Sequence, residues 1–330
     1  MELKAPYLLF LGDTQDPFAT KLARGVVDWR PELALAENHL ANGTITTGIP
    51  EMSIPEAVDA GAKSFVLGLA NSGGVIAESW MSSIHEAIRS GLDVISGMHQ
   101  ALSNMPDIVS LADQHHVMLH DIRHPQQTFN TGTGEKRSGK RLLTVGTDCS
   151  AGKMYTALAI ERAMRVEFDV SFKATGQSGI LIAGEGVAID CVVSDFISGA
   201  VEQLSPANTA DHWDIIEGQG SLFHPAFAGV SLGLLHGAQA DALVLCHVEG
   251  RDSMRGLKHR PLPSLQDTID ANLRAARVTN PAARFIGVSI NTSALSEQQA
   301  LACCQAYERQ LALPVVDPLR HGVDRLIANL

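Results

Sequence analysis

Lys153 follows Gly152 at the end of Gly146-Thr147-Asp148-Cys149-Ser150-Ala151-Gly152-Lys153, which joins an apolar run, Leu142 to Val145, to a segment with apolar residues at helical intervals (Ala157, Ile160, Ala163, Met164). Strand, glycine turn, lysine and helix are the parts of a phosphate-binding loop. Backbone N–H groups at a helix N-terminus cradle an anion, and the lysine adds a point charge. Two details depart from the common pattern. Five residues rather than four separate Gly146 from Gly152, and Met154 stands where Ser or Thr normally follows the lysine. In Mg-nucleotide enzymes that hydroxyl is a metal ligand, and a thioether does not replace it for a hard cation that prefers oxygen. Thr156 is two residues further on, roughly 200° around the helix at about 100° per residue, and so a poor substitute. The loop is expected to hold phosphate while being poorly equipped for Mg-ATP hydrolysis. Coenzyme A, with a pyrophosphate and a 3′-phosphate, is one ligand of that kind.

Other candidates stand where apolar runs end in small and polar residues. Phe172 leads into Lys173-Ala174-Thr175-Gly176-Gln177, and another run ends in Glu217-Gly218-Gln219-Gly220-Ser221 followed by His224. A third ends in His247-Val248-Glu249-Gly250-Arg251 and then Arg255, and a fourth in Asn291-Thr292. Lys173 would be a second cation for a phosphate. Glu217 lies where such folds often place an acidic group near the phosphates, and Glu217, His224 and His247 are candidate general bases. Arg251 and Arg255 suit bidentate pairing with substrate carboxylates, with Gln177 and Gln219 as further candidate substrate contacts. Blander readings exist for each: rim or core histidines, and a solvated basic loop that also holds Lys258 and Arg260. Cys149, a thiol at a helix N-terminus where pKa values are lowered, makes a covalent ping-pong route conceivable, although direct attack needs no covalent step. The turn Asn71-Ser72-Gly73-Gly74 is only a weak signal for a ligand-facing turn.

These residues need elements to hold them. The 330 residues exceed what one core usually serves, and 45% hydrophobic with 18% charged residues is an ordinary globular balance. A formal net charge of −11 argues against DNA or RNA as a partner. The five cysteines lack metal-site spacing, so they read as reduced thiols and no metal is expected. Met1 to Pro6 has no signal-peptide pattern, and no run approaches the roughly 18 apolar residues of a membrane span; the expectation is a cytoplasmic protein. In the first half, the runs Tyr7–Leu11, Lys63–Leu69, Asp93–Ser96 and Val117–Leu119 alternate with helical stretches at 19–29, 75–89 and 106–115. That alternation predicts a Rossmann-like α/β domain over 1–130. The glycine-rich stretch 131–140 reads as a linker, or a hairpin near the boundary. The alternation restarts over 141–330, with strands at 141–145, 169–172, 213–217, 242–246, 285–290 and 314–316. This predicts a doubly wound parallel sheet of P-loop NTPase-like type, with chemistry at the strands' carboxyl ends. One long helix is expected over 189–204, from a stripe running Ile189, Val192, Val193, Phe196, Ile197, Ala200, Val201, Leu204.

Two resemblances follow from these residues. Gly146-Thr147-Asp148-x-x-x-Gly152-Lys153 with Glu217-Gly218-x-Gly220 resembles the phosphate-loop ligase dethiobiotin synthetase over the second half alone. A nearly full-length resemblance is to the DgcN-type D-glutamate N-acetyltransferase family, a P-loop-containing family formerly of unknown function. It is carried by Gly146 through Met154, Phe172-Lys173-Ala174-Thr175-Gly176-Gln177-Ser178-Gly179-Ile180, Ala188-Ile189-Asp190 through Asp195-Phe196-Ile197-Ser198-Gly199-Ala200, Glu217 through Ser221, and Gly250-Arg251 with Arg255-Gly256. That resemblance implies acetyl transfer from acetyl-CoA to D-glutamate, with the product passing to a partner N-acetyl-D-glutamate dehydrogenase in D-glutamate catabolism. It carries no catalytic residues over, so the roles above rest on position. An ATP-dependent ligase or kinase of the dethiobiotin synthetase type is the alternative, and a non-catalytic nucleotide or acyl-CoA sensor a third reading. A homo-oligomer is expected by general prior.

Overall fold

The computed structural model describes residues 3–17, 19–71 and 73–330. Ser72 of the glycine turn and the first two residues of the N-terminal stretch therefore lie outside the described residues. The chain divides into two compact units, Met1–Gln126 with Gly176–Cys191, and Gln127–Thr175 with Val192–Leu330.

In the first unit, the strands β1 (Tyr7–Gly12), β2 (Ala34–His39), β3 (Ser64–Leu67), β4 (Asp93–Ser96) and β5 (Leu119–Asp121) form a five-stranded sheet in the order β2-β1-β3-β4-β5. Every pairing is parallel, which is the second common doubly wound order. Strands β1, β3 and β4 are buried along their whole length, as expected of a sheet covered on both faces. The helices are α1 (Lys21–Trp29), α2 (Ile54–Asp59), α3 (Met81–Arg89) and α4 (Pro106–His115). Gly91 closes α3 at φ +80°, a conformation glycine adopts at no steric cost. Strand β2 is absent from the sequence reading because its second half is polar. Glu37 is nonetheless buried, since Thr46, His39 and the N–H and hydroxyl of Thr47 satisfy its carboxylate.

The second unit holds β6 (Lys140–Gly146), α5 (Lys153–Met164) and β7 (Val170–Lys173). The next helix, α6 (Gln177–Ala183), belongs to the first unit, where it packs on α1 and its Ile182 carbonyl accepts from Arg30 Nη1 at 2.9 Å. The second unit continues with α7 (Ile197–Leu204), β8 (Trp213–Ile216), α8 (Ala228–Ala238), β9 (Ala242–Val248), β10 (Ser253–Met254), β11 (Leu257–Pro261), α9 (Leu265–Ala276), β12 (Arg284–Asn291), α10 (Glu297–Leu311), β13 (Val315–Val316) and α11 (Asp324–Ile327). Its six-stranded sheet runs β13-β12-β9-β6-β8-β7, parallel throughout. Strand β6, which feeds the glycine loop, is thus central, flanked by β9 and β8. Its core is built from Leu142, Ile215, Val244 and Ile286 on the strands and Ala157, Ile160 and Met164 on α5.

Three local expectations change. The helix expected over 189–204 is broken: short 3₁₀ turns at Ile189–Cys191 and Ser194–Phe196 precede α7. Val193 is extended, at ψ 135°, and Asp190 is held by Arg123; the chain also passes from one unit to the other at Cys191. The basic stretch after Arg251 is an antiparallel hairpin, β10 with β11, rather than an irregular loop. Segment 131–140 folds with the second unit, because the N–H groups of Thr133 and Gly134 donate to the Glu202 carboxylate and Lys136 pairs with Asp241.

Candidate active site

The loop between β6 and α5 is shaped by two left-handed residues, Ser150 at φ +49° and Gly152 at φ +91°. Gly152 caps α5 without a side-chain bond. The first N–H groups of a helix have no acceptor within it, and the start of α5 at Lys153 is where such groups suit an anion. Lys153 folds back over the loop, where its Nζ donates to the Asp148 carbonyl at 2.8 Å, and it is only 6% exposed. Burial lowers its pKa below the usual lysine value, opposed by Cys149, Cys246, Asp148 and Glu217.

Beneath the loop, the hydroxyl of Thr144 on β6 donates to the Lys153 carbonyl at 3.2 Å and accepts from the Gly218 N–H at 3.0 Å. The strand-end turn after β8 is thereby locked against the strand carrying the loop. Thr156 is fully buried among Ser289, at 2.8 Å between hydroxyls, and Cys246, whose thiol burial pushes up to about 11. Its hydroxyl faces the sheet, in keeping with the helical geometry that made it a poor replacement for the hydroxyl missing at Met154.

Asp148 is the buried carboxylate of the loop, with no exposed surface. Its Oδ2 accepts from Arg251 Nη1 at 3.0 Å and from the Arg255 N–H at 2.8 Å, partners that a buried carboxylate requires. Arg251 also donates to the carbonyls of Cys149 at 2.8 Å and Ser150 at 3.1 Å, and Arg255 donates to the Ser150 hydroxyl. Both arginines, read from the sequence as substrate contacts, direct donors onto the loop. Asp148 Oδ1 has no hydrogen-bond partner among the described residues.

His224 lies in the turn after β8, where its backbone N–H donates to the Ser221 carbonyl and its ring stacks on Phe227 at 4.5 Å between centroids. Ring Nδ1 accepts from the Ala226 N–H at 3.2 Å, which leaves Nε2 to donate to the Arg255 carbonyl at 3.3 Å. A carboxylate oxygen of Asp148, Cys149 Sγ and a ring nitrogen of His224 all lie within 4.8 Å of one another. His247, at the end of β9, meets the Thr147 hydroxyl through Nδ1 at 3.0 Å and sets its ring edge-on to Tyr307. Burial lowers its pKa, with Glu249 opposing and Arg251 adding to the effect, which favours the neutral ring. Tyr307 donates to Glu249 at 3.1 Å, and burial together with that carboxylate pushes the phenol up to about 12.

The family model described as "Domain of unknown function (DUF1611_C) P-loop domain" matches residues 128–327, and that described as "Domain of unknown function (DUF1611_N) Rossmann-like domain" matches 35–125. The chain belongs to the DUF1611 family. A DUF1611 family protein from Anabaena variabilis ATCC 29413, known from a crystal structure, is similar at a TM-score of 0.90 and 29% identity, covering 99% of both chains. Two curated relatives carry the name D-glutamate N-acetyltransferase. The one from Pseudoalteromonas sp. is 55% identical over 100% of both chains, and the one from Tritonibacter scottomollicae is 46% identical over 99% of both.

Within this DUF1611 chain the sequence candidates separate into two groups. The loop residues, Glu217, Gln219, His224, His247, Arg251 and Arg255 all belong to the second unit, around the carboxyl ends of β6, β8 and β9. Glu217 is buried and accepts from the Thr175 N–H at 3.0 Å; Gln219 donates to the Thr175 hydroxyl at 3.2 Å. Lys173 reaches Asp214, 3.5 Å away, and Asp214 also bonds Ser171 and Ser205. Gln177 begins α6 in the first unit. Thr144 and Tyr307 were missed by sequence reasoning, and Glu249 was placed at a strand end without a role. Tyr307 arrives from α10, and its bond to Glu249 has no local signal in the sequence.

Proposed function

We propose that this chain transfers the acetyl group of acetyl-CoA to the amine of D-glutamate. The observation that carries the proposal is whole-chain identity of 55% and 46% to two proteins named D-glutamate N-acetyltransferase. The loop chemistry supports it. Amide donors at the start of α5 and the Lys153 ammonium suit a coenzyme's phosphates. Met154 and the inward-facing Thr156 leave the loop without the hydroxyl a Mg-nucleotide enzyme places there. N-acetylation also requires a neutral amine and donors for the developing oxyanion. His247, its neutral form favoured by burial and its ring aligned by Thr147, is the base this arrangement favours. The decisive experiment incubates the purified chain with acetyl-CoA or Mg-ATP and with D- or L-glutamate, following thiol and phosphate release. Thiol release that requires both acetyl-CoA and D-glutamate is the expected result. Phosphate release without thiol sinks the proposal in favour of a ligase or kinase; tight acyl-CoA binding with no turnover sinks it in favour of a sensor.

A further inference from the structure

We propose that Asp148, Cys149 and His224 form a three-ligand site for a divalent cation of the zinc class, with one coordination position left open. The donor atoms are an oxygen, a sulfur and an imidazole nitrogen, the mixture that a borderline-soft cation takes. All three lie within 4.8 Å of one another. Tetrahedral zinc with bonds of about 2.0–2.3 Å separates its ligands by roughly 3.5 Å, so modest side-chain rotations close the set.

Two further observations support the site. The first is Asp148 Oδ1, which has no partner among the described residues and sits on a carboxylate with no exposed surface. Leaving such an oxygen unsatisfied is costly, and a cation satisfies it. The second is how the ligands are held. The peptide groups of Arg255 grip two of them: its N–H donates to Asp148 Oδ2, and its carbonyl accepts from His224 Nε2. With Oδ2 occupied by Arg255 and Arg251, Oδ1 is the oxygen left for a metal. With the Nε2 proton on a carbonyl, the Nδ1 lone pair is the one left, at the expense of a 3.2 Å contact from Ala226 N–H. A backbone carbonyl on the second nitrogen is the usual outer-shell partner of a ligating histidine. Lys153 and Arg251 neighbour the two anionic ligands and offset the negative charge the site would carry without its ion. Sequence spacing gave no hint of this site, because two ligands are adjacent and the third arrives from another strand end.

The test uses the full chain, stripped with a chelator, dialysed and titrated with Co²⁺ as a spectroscopic probe and then with Zn²⁺. The expected result is one equivalent of Co²⁺ giving a thiolate-to-cobalt charge-transfer band and tetrahedral visible bands, all displaced by Zn²⁺. C149S should lose the charge-transfer band, while D148N and H224Q should bind at least roughly tenfold more weakly. Because a variant can fail to fold, a second measurement uses the unmodified chain: Zn²⁺ should protect Cys149 from alkylation, read by peptide mass spectrometry. A charge-transfer band that survives in folded C149S, or Cys149 alkylation unaffected by saturating Zn²⁺, overturns the proposal. None of these readouts depends on acetyl transfer.

Discussion

Arg251→Ala removes one guanidinium and with it three bonds: to Asp148 Oδ2 at 3.0 Å, the Cys149 carbonyl at 2.8 Å and the Ser150 carbonyl at 3.1 Å. Asp148 then keeps one donor, the Arg255 N–H, for a carboxylate whose side chain is 0% exposed. Stranding a fully buried charge costs about 3–5 kcal/mol. Arg251 is itself 22% exposed, so water can enter the space it leaves, and the figure falls to roughly 2–3 kcal/mol. At about 2–4 °C per kcal/mol for a domain of this size, the melting temperature drops by roughly 5–10 °C. The loop loses its fixed shape as well, so KM for acetyl-CoA should rise more than KM for D-glutamate. Arg251→Lys keeps a charge but not the fork, and should recover only part of either effect. The assay pairs thermal melts with initial rates in which each substrate is varied. A variant that melts with the parent while raising KM for D-glutamate alone would refute the clamp and restore Arg251 as a substrate carboxylate contact.

Three other perturbations follow from the same geometry. In Gly218→Ala the new methyl carbon would stand 1.7 Å from the Thr144 carbonyl oxygen; this backbone clash should cost about 3 kcal/mol or more, and a parental melting curve would contradict it. Lys153→Met should change unfolding free energy by no more than about 1 kcal/mol, because losing the bond to the Asp148 carbonyl is offset by removing a buried charge. The same variant should weaken acetyl-CoA binding roughly 10–100-fold; unaltered binding by calorimetry would remove the loop from the ligand site. Burial lowers the pKa of His99, His120 and His247 below the usual 6.5. Between those folded values and about 6.5 the unfolded chain binds more protons. Stability from these groups is therefore present above that window and lost as pH falls through it. Urea midpoints should be lower at pH 5.5 than at 7.5, with a smaller difference in His120→Gln; an equal or larger difference in that variant rejects the assignment to His120.

What could be read from the residues tracks how local the information is. The loop, its strand and helix, and α4 at Pro106–His115 are set by neighbours in sequence, and they formed where the pattern placed them. Strand β2 escaped because Glu37 is buried by bonds from Thr46 and Thr47, partners that hydropathy does not reveal. The helix expected over 189–204 had the right period, but Asp190 is held by Arg123 and the chain extends at Val193. Among site residues, Lys173 was expected near a phosphate, and its ammonium faces Asp214, a carboxylate of the neighbouring strand. The pairing of Arg251 with Asp148 was equally illegible, because it depends on Asp148 turning into the loop. Type and spacing can nominate a charged residue, but only the fold decides which opposite charge it meets first.

Product analysis identifies the reaction itself. Purified chain, acetyl-CoA and racemic glutamate would be incubated to completion, with thiol release quantified beside chiral chromatography and mass spectrometry of the amino acid. The prediction is one N-acetyl-D-glutamate for each thiol released, with L-glutamate left intact. Thiol release with no acetylated D-glutamate, or consumption of both enantiomers at equal rates, would contradict it.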